Sequence, residues 1–227
     1  MAPNSGRRTR ILLINPNSLE ATTAMMVAIA KSAAIDAFDI VGATAARSPL
    51  MIVTPDALDA AAAEVEEIAR AHRSSCDGII VAAFGDPGLA GIKAGMELPA
   101  VGIGESAMFA AAENGRRFGV ATTTPLLKSK IDALPDVLGL RSRYTGTRFA
   151  EGEPQDLMRD PAQLSAALAG AVEACIAQDG AEAVIIGGGP LGEAARALQP
   201  MFAVPVIAPI PSAVARIIRL ITARTAN

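Results

Sequence analysis

Four short segments of this chain carry residue types that could work on a small molecule. Asn15-Pro16-Asn17-Ser18 offers two amides and a hydroxyl directly after the apolar run Ile11 to Ile14. Such a string makes a turn and caps a helix, or it presents its amides to a ligand. Thr122-Thr123-Thr124 sets three hydroxyls ahead of Pro125, with the same two readings. Phe84-Gly85-Asp86-Pro87-Gly88 joins two glycines to one acid. Backbone N–H groups there can hold a carboxylate or imide oxygen. Asp86 either caps the helix that follows or serves as one of few acids near a ligand. Gly187-Gly188-Gly189-Pro190-Leu191-Gly192 satisfies G-x-G-x-x-G. A dinucleotide site would also need an acid about 20 residues further on. The sequence there reads Val206-Ile-Ala-Pro-Ile-Pro211, so no nicotinamide or flavin cofactor is expected.

The usual nucleophiles are scarce. Cys76 precedes an apolar run and Cys175 falls inside a helical pattern, so both read as buried structural thiols. His72 closes a charged helical stretch and has no serine–acid pair to complete a triad. One His and two Cys cannot build a zinc site from its customary ligands.

These segments sit at equivalent places in a repeat. Arg10 to Ser18 is an apolar run ending in a polar turn, and Arg117 to Pro125 reads the same way half a chain later. Short second strands follow at Asp39–Thr44 and Arg143–Thr147, then alanine-rich helices at Pro55–Arg73 and Pro161–Gln178, each opening on a proline. Asp77–Gly85 and Glu182–Gly189 are β-branched runs ending in small residues, as parallel strands buried on both faces require. Each leads through a helix to an X-Pro-apolar strand, at Leu98–Ile103 and Val204–Pro209. Strands alternating with helices imply βαβ units and parallel sheets. The expected fold is α/β, with two pseudo-symmetric Rossmann-like domains, residues 1–104 and 105–210, and a cleft between them. An amphipathic helix over 211–227 is expected to pack on the first. Ligands of open parallel sheets bind beyond the carboxyl ends of the strands, where all four polar segments lie.

The 227 residues are 51% apolar, which is ample for a core, but only 3% aromatic. With 20 basic against 23 acidic residues there is neither a basic surface nor a stacking platform for nucleic acid. No apolar stretch approaches the ~18 residues that span a bilayer, and the N-terminal MAPNSGRRTR has no signal-peptide core. Two separated cysteines form no disulfide framework, so a cytoplasmic location is expected.

Ile14-Asn-Pro-Asn-Ser18, Ala82-Ala-Phe-Gly-Asp-Pro-Gly-Leu89, Val101-Gly-Ile-Gly-Glu-Ser106 and Arg117-Phe-Gly-Val-Ala-Thr-Thr-Thr124 together resemble the aspartate/glutamate/hydantoin racemase family, nearest its hydantoin and allantoin branch. The resemblance implies a cofactor-independent, often oligomeric protein acting beside a carbonyl of a small carboxylate or cyclic ureide. It implies a substrate site at Asn15, Asn17, Ser18, Phe84, Gly85, Asp86, Thr122, Thr123, Thr124, Gly187, Gly189 and Pro190. In that family one cysteine of each half removes or returns the proton at the reacting carbon, a task suited to thiols that titrate near neutral pH. The family's Cys-Phe-Gly-Asp-Pro-Gly falls on Ala83–Gly88, and its Gly-Cys-Ala-Gly falls on Gly187–Pro190. Ala83 and Gly188 therefore stand where the two catalytic cysteines belong, and two-base racemisation is not expected. Three readings remain: another base such as Asp86 or Glu105, one-sided isomerase, decarboxylase or hydrolase chemistry, or binding of a small molecule without turnover.

Overall fold

A computed structural model describes residues 8–225. Most of the polar N-terminal stretch and the last two residues of the expected C-terminal helix lie outside the described residues. The first half runs β1 (Thr9–Asn15), α1 (Glu20–Ala33), β2 (Phe38–Thr44), α2 (Pro55–His72), β3 (Gly78–Val81), α3 (Leu89–Gly95), β4 (Ala100–Gly102) and α4 (Ile103–Ala111). The second runs β5 (Phe118–Thr122), α5 (Lys128–Val137), β6 (Tyr144–Phe149), α6 (Pro154–Leu157), α7 (Pro161–Ala177), β7 (Ala183–Gly187), α8 (Gly192–Leu198), β8 (Val206–Ile207) and α9 (Pro209–Thr225).

Local chemistry accounts for the elements. Every residue of β3, β5 and β7 is buried, matching their continuous apolar runs. Thr54 accepts from the Ala57 amide at the start of α2, and Asp160 accepts from Ala162 and Gln163 at the start of α7. Each cap is followed by a proline, whose missing N–H costs nothing in a first turn.

The strands form two parallel four-stranded sheets, ordered β2-β1-β3-β4 and β6-β5-β7-β8. The orders are the same permutation, which makes the two halves pseudo-symmetric. In each, the chain crosses to opposite sides of the first strand, so a crevice opens between β1 and β3 and again between β5 and β7. Register places the ends of those pairs side by side, Ile14 with Val81 and Thr122 with Gly187.

The division expected at Gly104–Glu105 falls inside α4, which opens immediately after β4. Ala107, Met108 and Ala111 of this helix are buried with Leu58 and Phe84 of the first half and with Phe118, Val120 and Ile185 of the second. A single apolar core thus joins the halves. The final helix returns to the first sheet: Ile210, Val214, Ile217 and Ile221 of α9 pack with Ile11, Leu13, Ile80 and Val101. Of the α9 arginines, Arg219 and Arg224 are exposed. Arg216 instead lies 4.2 Å over the Phe109 ring and 3.8 Å from Glu105.

Ile217 has no exposed surface. Ile217→Ala should therefore lower stability by about 2–5 kcal/mol, and Arg219→Ala by less than about 0.5 kcal/mol. Urea unfolding of the two variants measures the contrast and tests whether α9 belongs to the first core.

Candidate functional site

The carboxyl ends of β1, β3, β5 and β7 converge on one cavity of about 90 Å³. Ala83 and Phe84 line it from the β3 loop, Thr123 and Thr124 from the β5 loop, and Gly187 to Pro190 from the β7 loop. Asn17 reaches it from the turn after β1. Close approach of the halves depends on a missing side chain. A Cβ on Gly189 would lie 2.6 Å from the Met26 sulfur and 3.1 Å from the Ala82 carbonyl oxygen, both in the first half.

Five of the residues expected at the site do not line the cavity. Asn15 is fully buried and spends its side chain on its own turn. Its Nδ2 donates to the Leu19 carbonyl and to Thr23 Oγ1, and its Oδ1 accepts from the Asn17 amide. The Ser18 amide donates to the Pro49 carbonyl. Together with Asn17, whose Oδ1 accepts from the Ile52 amide at 3.0 Å, it pins the loop between β2 and α2 over the cavity. Thr122 Oγ1 donates to the Gly187 carbonyl at 2.5 Å and ties the two strand ends together. Gly85 turns the loop at φ +118° against Leu58.

Asp86 departs furthest from expectation. It does not cap the helix that follows it, since the N-cap of α3 is Gly88. Its carboxylate accepts the amides of Gly104 (2.8 Å) and Glu105 (2.7 Å) in the first turn of α4. Room for it is made by glycine, since a Cβ on Gly102 would sit 2.1 Å from the Asp86 carboxyl carbon. Phe84-Gly-Asp-Pro-Gly88 and Val101-Gly-Ile-Gly-Glu-Ser106 are therefore two sides of one structural joint. Burial pushes the Asp86 carboxyl up to about 7, against the pull of the two amides; the Glu105 charge adds to the rise and Lys93 opposes it. Glu105, the other acid considered as a base, is held by Lys93 Nζ at 2.7 and 2.9 Å. Neither acid faces the cavity.

The remaining walls are apolar: Leu191 from the glycine-rich segment after β7, and, from segments with no motif to mark them, Met51 and Ile52 before α2, Leu58 on α2, Leu127 before α5 and Met158 after α6. Met51, Ile52, Leu127 and Met158 are apolar residues where the chain is otherwise turning, while Leu58 lies within α2 like any core residue. Among the described residues, no wall residue carries an ionisable side chain. The hydrogen-bonding side chains among them are Asn17, Thr123 and Thr124. Both cysteines are buried elsewhere. Cys76 Sγ donates to the His72 carbonyl. Cys175 donates to the Val120 carbonyl, and burial pushes its thiol up to about 12. Among the described residues no group of three or more His, Cys, Asp or Glu gathers as a metal would need, and no helix is long and apolar enough to cross a membrane.

The family described as Asp/Glu/Hydantoin racemase matches residues 11–217. The chain belongs to the Asp/Glu/Hydantoin racemase family. A hydantoin racemase of Pseudomonas sp. (strain NS671) is 31% identical over 199 residues, covering 87% of this chain and 80% of the relative. The solved allantoin racemase from Klebsiella pneumoniae superposes with a TM-score of 0.89 at 28% identity, covering 95% of this chain and 89% of that one. The allantoin racemase AllR from Pseudomonas fluorescens gives a TM-score of 0.91 at 25% identity, covering 95% and 92%. The two-sheet architecture of this racemase-family chain is thus that of solved allantoin racemases.

Asp86→Ala should lower stability by about 1–3 kcal/mol for each amide left without an acceptor. It should also change the pH profile. A carboxyl raised from 3.8 to about 7 binds its proton more tightly in the folded chain. Its contribution to stability therefore falls as pH rises through that window. The difference in urea midpoint between wild type and Asp86→Ala, followed from acid to neutral pH, should shrink as pH rises.

Proposed function

We propose that this racemase-family chain binds a small ring ureide, or a small carboxylate, in the cavity between its sheets without racemising it by a two-base route. The carbon beside the carbonyl would sit between Ala83 and Gly188. The observation that carries this reading is the chemistry of the walls: none of the described residues facing the cavity can hold or release a proton near neutral pH. Racemisation through a two-base mechanism needs such a group on each face of the reacting carbon. Threonine hydroxyls do not supply it without an activating base, and Asp86 and Glu105 are committed to α4 and Lys93.

The similarity to hydantoin and allantoin racemases supports a ring ureide as the ligand. Such a ring is uncharged and presents amide N–H and carbonyl groups, which Asn17, Thr123 and Thr124 match. Among the described residues, the walls contain no cation for the two carboxylates of aspartate or glutamate. Nothing in this reading calls for a cofactor.

Solvent deuterium exchange at the α-carbon, followed by NMR for hydantoins, allantoin, aspartate and glutamate, tests it. The expected result is saturable binding of a ring ureide with no exchange above that in buffer. Ala83→Cys together with Gly188→Cys should then confer exchange and racemisation. The second substitution is the harder to accommodate, since its Cβ meets Leu191 at 3.0 Å, so circular dichroism should accompany it. Efficient racemisation by the unaltered chain would overturn the proposal.

A further inference from the structure

The loop after β3 faces two ways within four residues. Ala83 and Phe84 look into the cavity. Asp86, at φ +51°, turns its carboxylate away to the first-turn amides of α4. That helix is seated between the halves, with Met108 and Ala111 in the core shared by Phe118 and Ile185. Leu134 of α5, in the second half, reaches within 3.2 Å of where a Cβ on Gly104 would lie. One carboxyl group thus joins a cavity wall to the helix between the two sheets.

We propose that Asp86 is a positioning residue acting as a latch: its carboxylate holds the Ala83–Phe84 wall against the start of α4, and uptake of a proton loosens both together. The chemistry follows from hydrogen-bonding capacity. An ionised carboxylate accepts on both oxygens and satisfies both amides. Once protonated, one oxygen becomes a hydroxyl, a weaker acceptor than a carboxylate oxygen, so one of the two amides loses its best acceptor. The latch does not depend on which ligand the cavity takes.

The surroundings keep this carboxyl sensitive. Among the described residues the charges acting on it are Glu105 on α4 and Lys93 on α3. Arg216 of α9 stands on Glu105. On α2, Glu66 turns toward Gly91 and Asp59 pairs with Lys130 of α5. Asp132 of α5 is held by Lys128 and Tyr144. Burial places the Asp86 proton close to neutral pH, so the two states lie within reach of ordinary conditions.

Carboxyl-carbon and amide NMR of the full chain, titrated from about pH 4 to about pH 9, tests the latch. Three groups of signals should share one midpoint: the Asp86 carboxyl, the amide protons of Gly104 and Glu105, and the amides of Ala83 and Phe84. In Asp86→Asn the shared step should vanish from Ala83 and Phe84. If that variant does not fold, the wild-type titration alone decides. A plain helix cap would move Gly104 and Glu105 while Ala83 and Phe84 stayed still, and that result would overturn the proposal. So would the absence of an Asp86 step in this range, or persistence of the Ala83 and Phe84 step in a folded Asp86→Asn chain.

Discussion

Two parallel sheets meet here strand-end to strand-end, with a glycine at the point where the backbone of one half approaches the other. Gly189 of the second half lies against Ala82 and Met26 of the first, where even a methyl group would collide. That contact brings Ala83 and Gly188 to one cavity and leaves it small, about 90 Å³. It also concentrates the remaining polar chemistry of the site into Asn17, Thr123 and Thr124. The shared strand order supplies the rest of the geometry. With β1 and β3 central in one sheet and β5 and β7 central in the other, both crevices open toward the same space.

The strand-end motifs divide their labour between the ligand and the scaffold. In Asn15-Pro-Asn-Ser18 the first asparagine stabilises its own turn, while Asn17 and Ser18 hold the loop that carries Met51 and Ile52. In Phe84-Gly-Asp-Pro-Gly88 the phenylalanine faces the cavity and the aspartate anchors a helix 18 residues further on. A motif's residues can thus serve the same site by quite different physical means.

Membership of a racemase family and the chemistry of this cavity are separate matters. The fold is that of solved allantoin racemases. Among the described residues, the walls hold apolar side chains, hydroxyls and one amide, with no group able to carry a proton between faces. Both thiols of the chain are buried away from the cavity, each with its S–H turned to a backbone carbonyl.

Much of this was legible in the residues. Buried β-branched runs, prolines in first turns and polar caps are local signals, so strands, helices and the repeat could be read directly; even the emptiness of positions 83 and 188 is a matter of residue type. What only the tertiary structure decided is which way each strand-end residue faces. A loop that passes through positive φ at Gly85, Asp86 and Gly88 directs neighbouring side chains to opposite sides, and no sequence pattern records that rotation. Thus Asp86 went to α4 and Thr122 to Gly187, while Met51, Leu58 and Met158 arrived at the cavity from segments far apart in the chain. Apolar residues carry no direction of their own; packing of the two sheets supplied it.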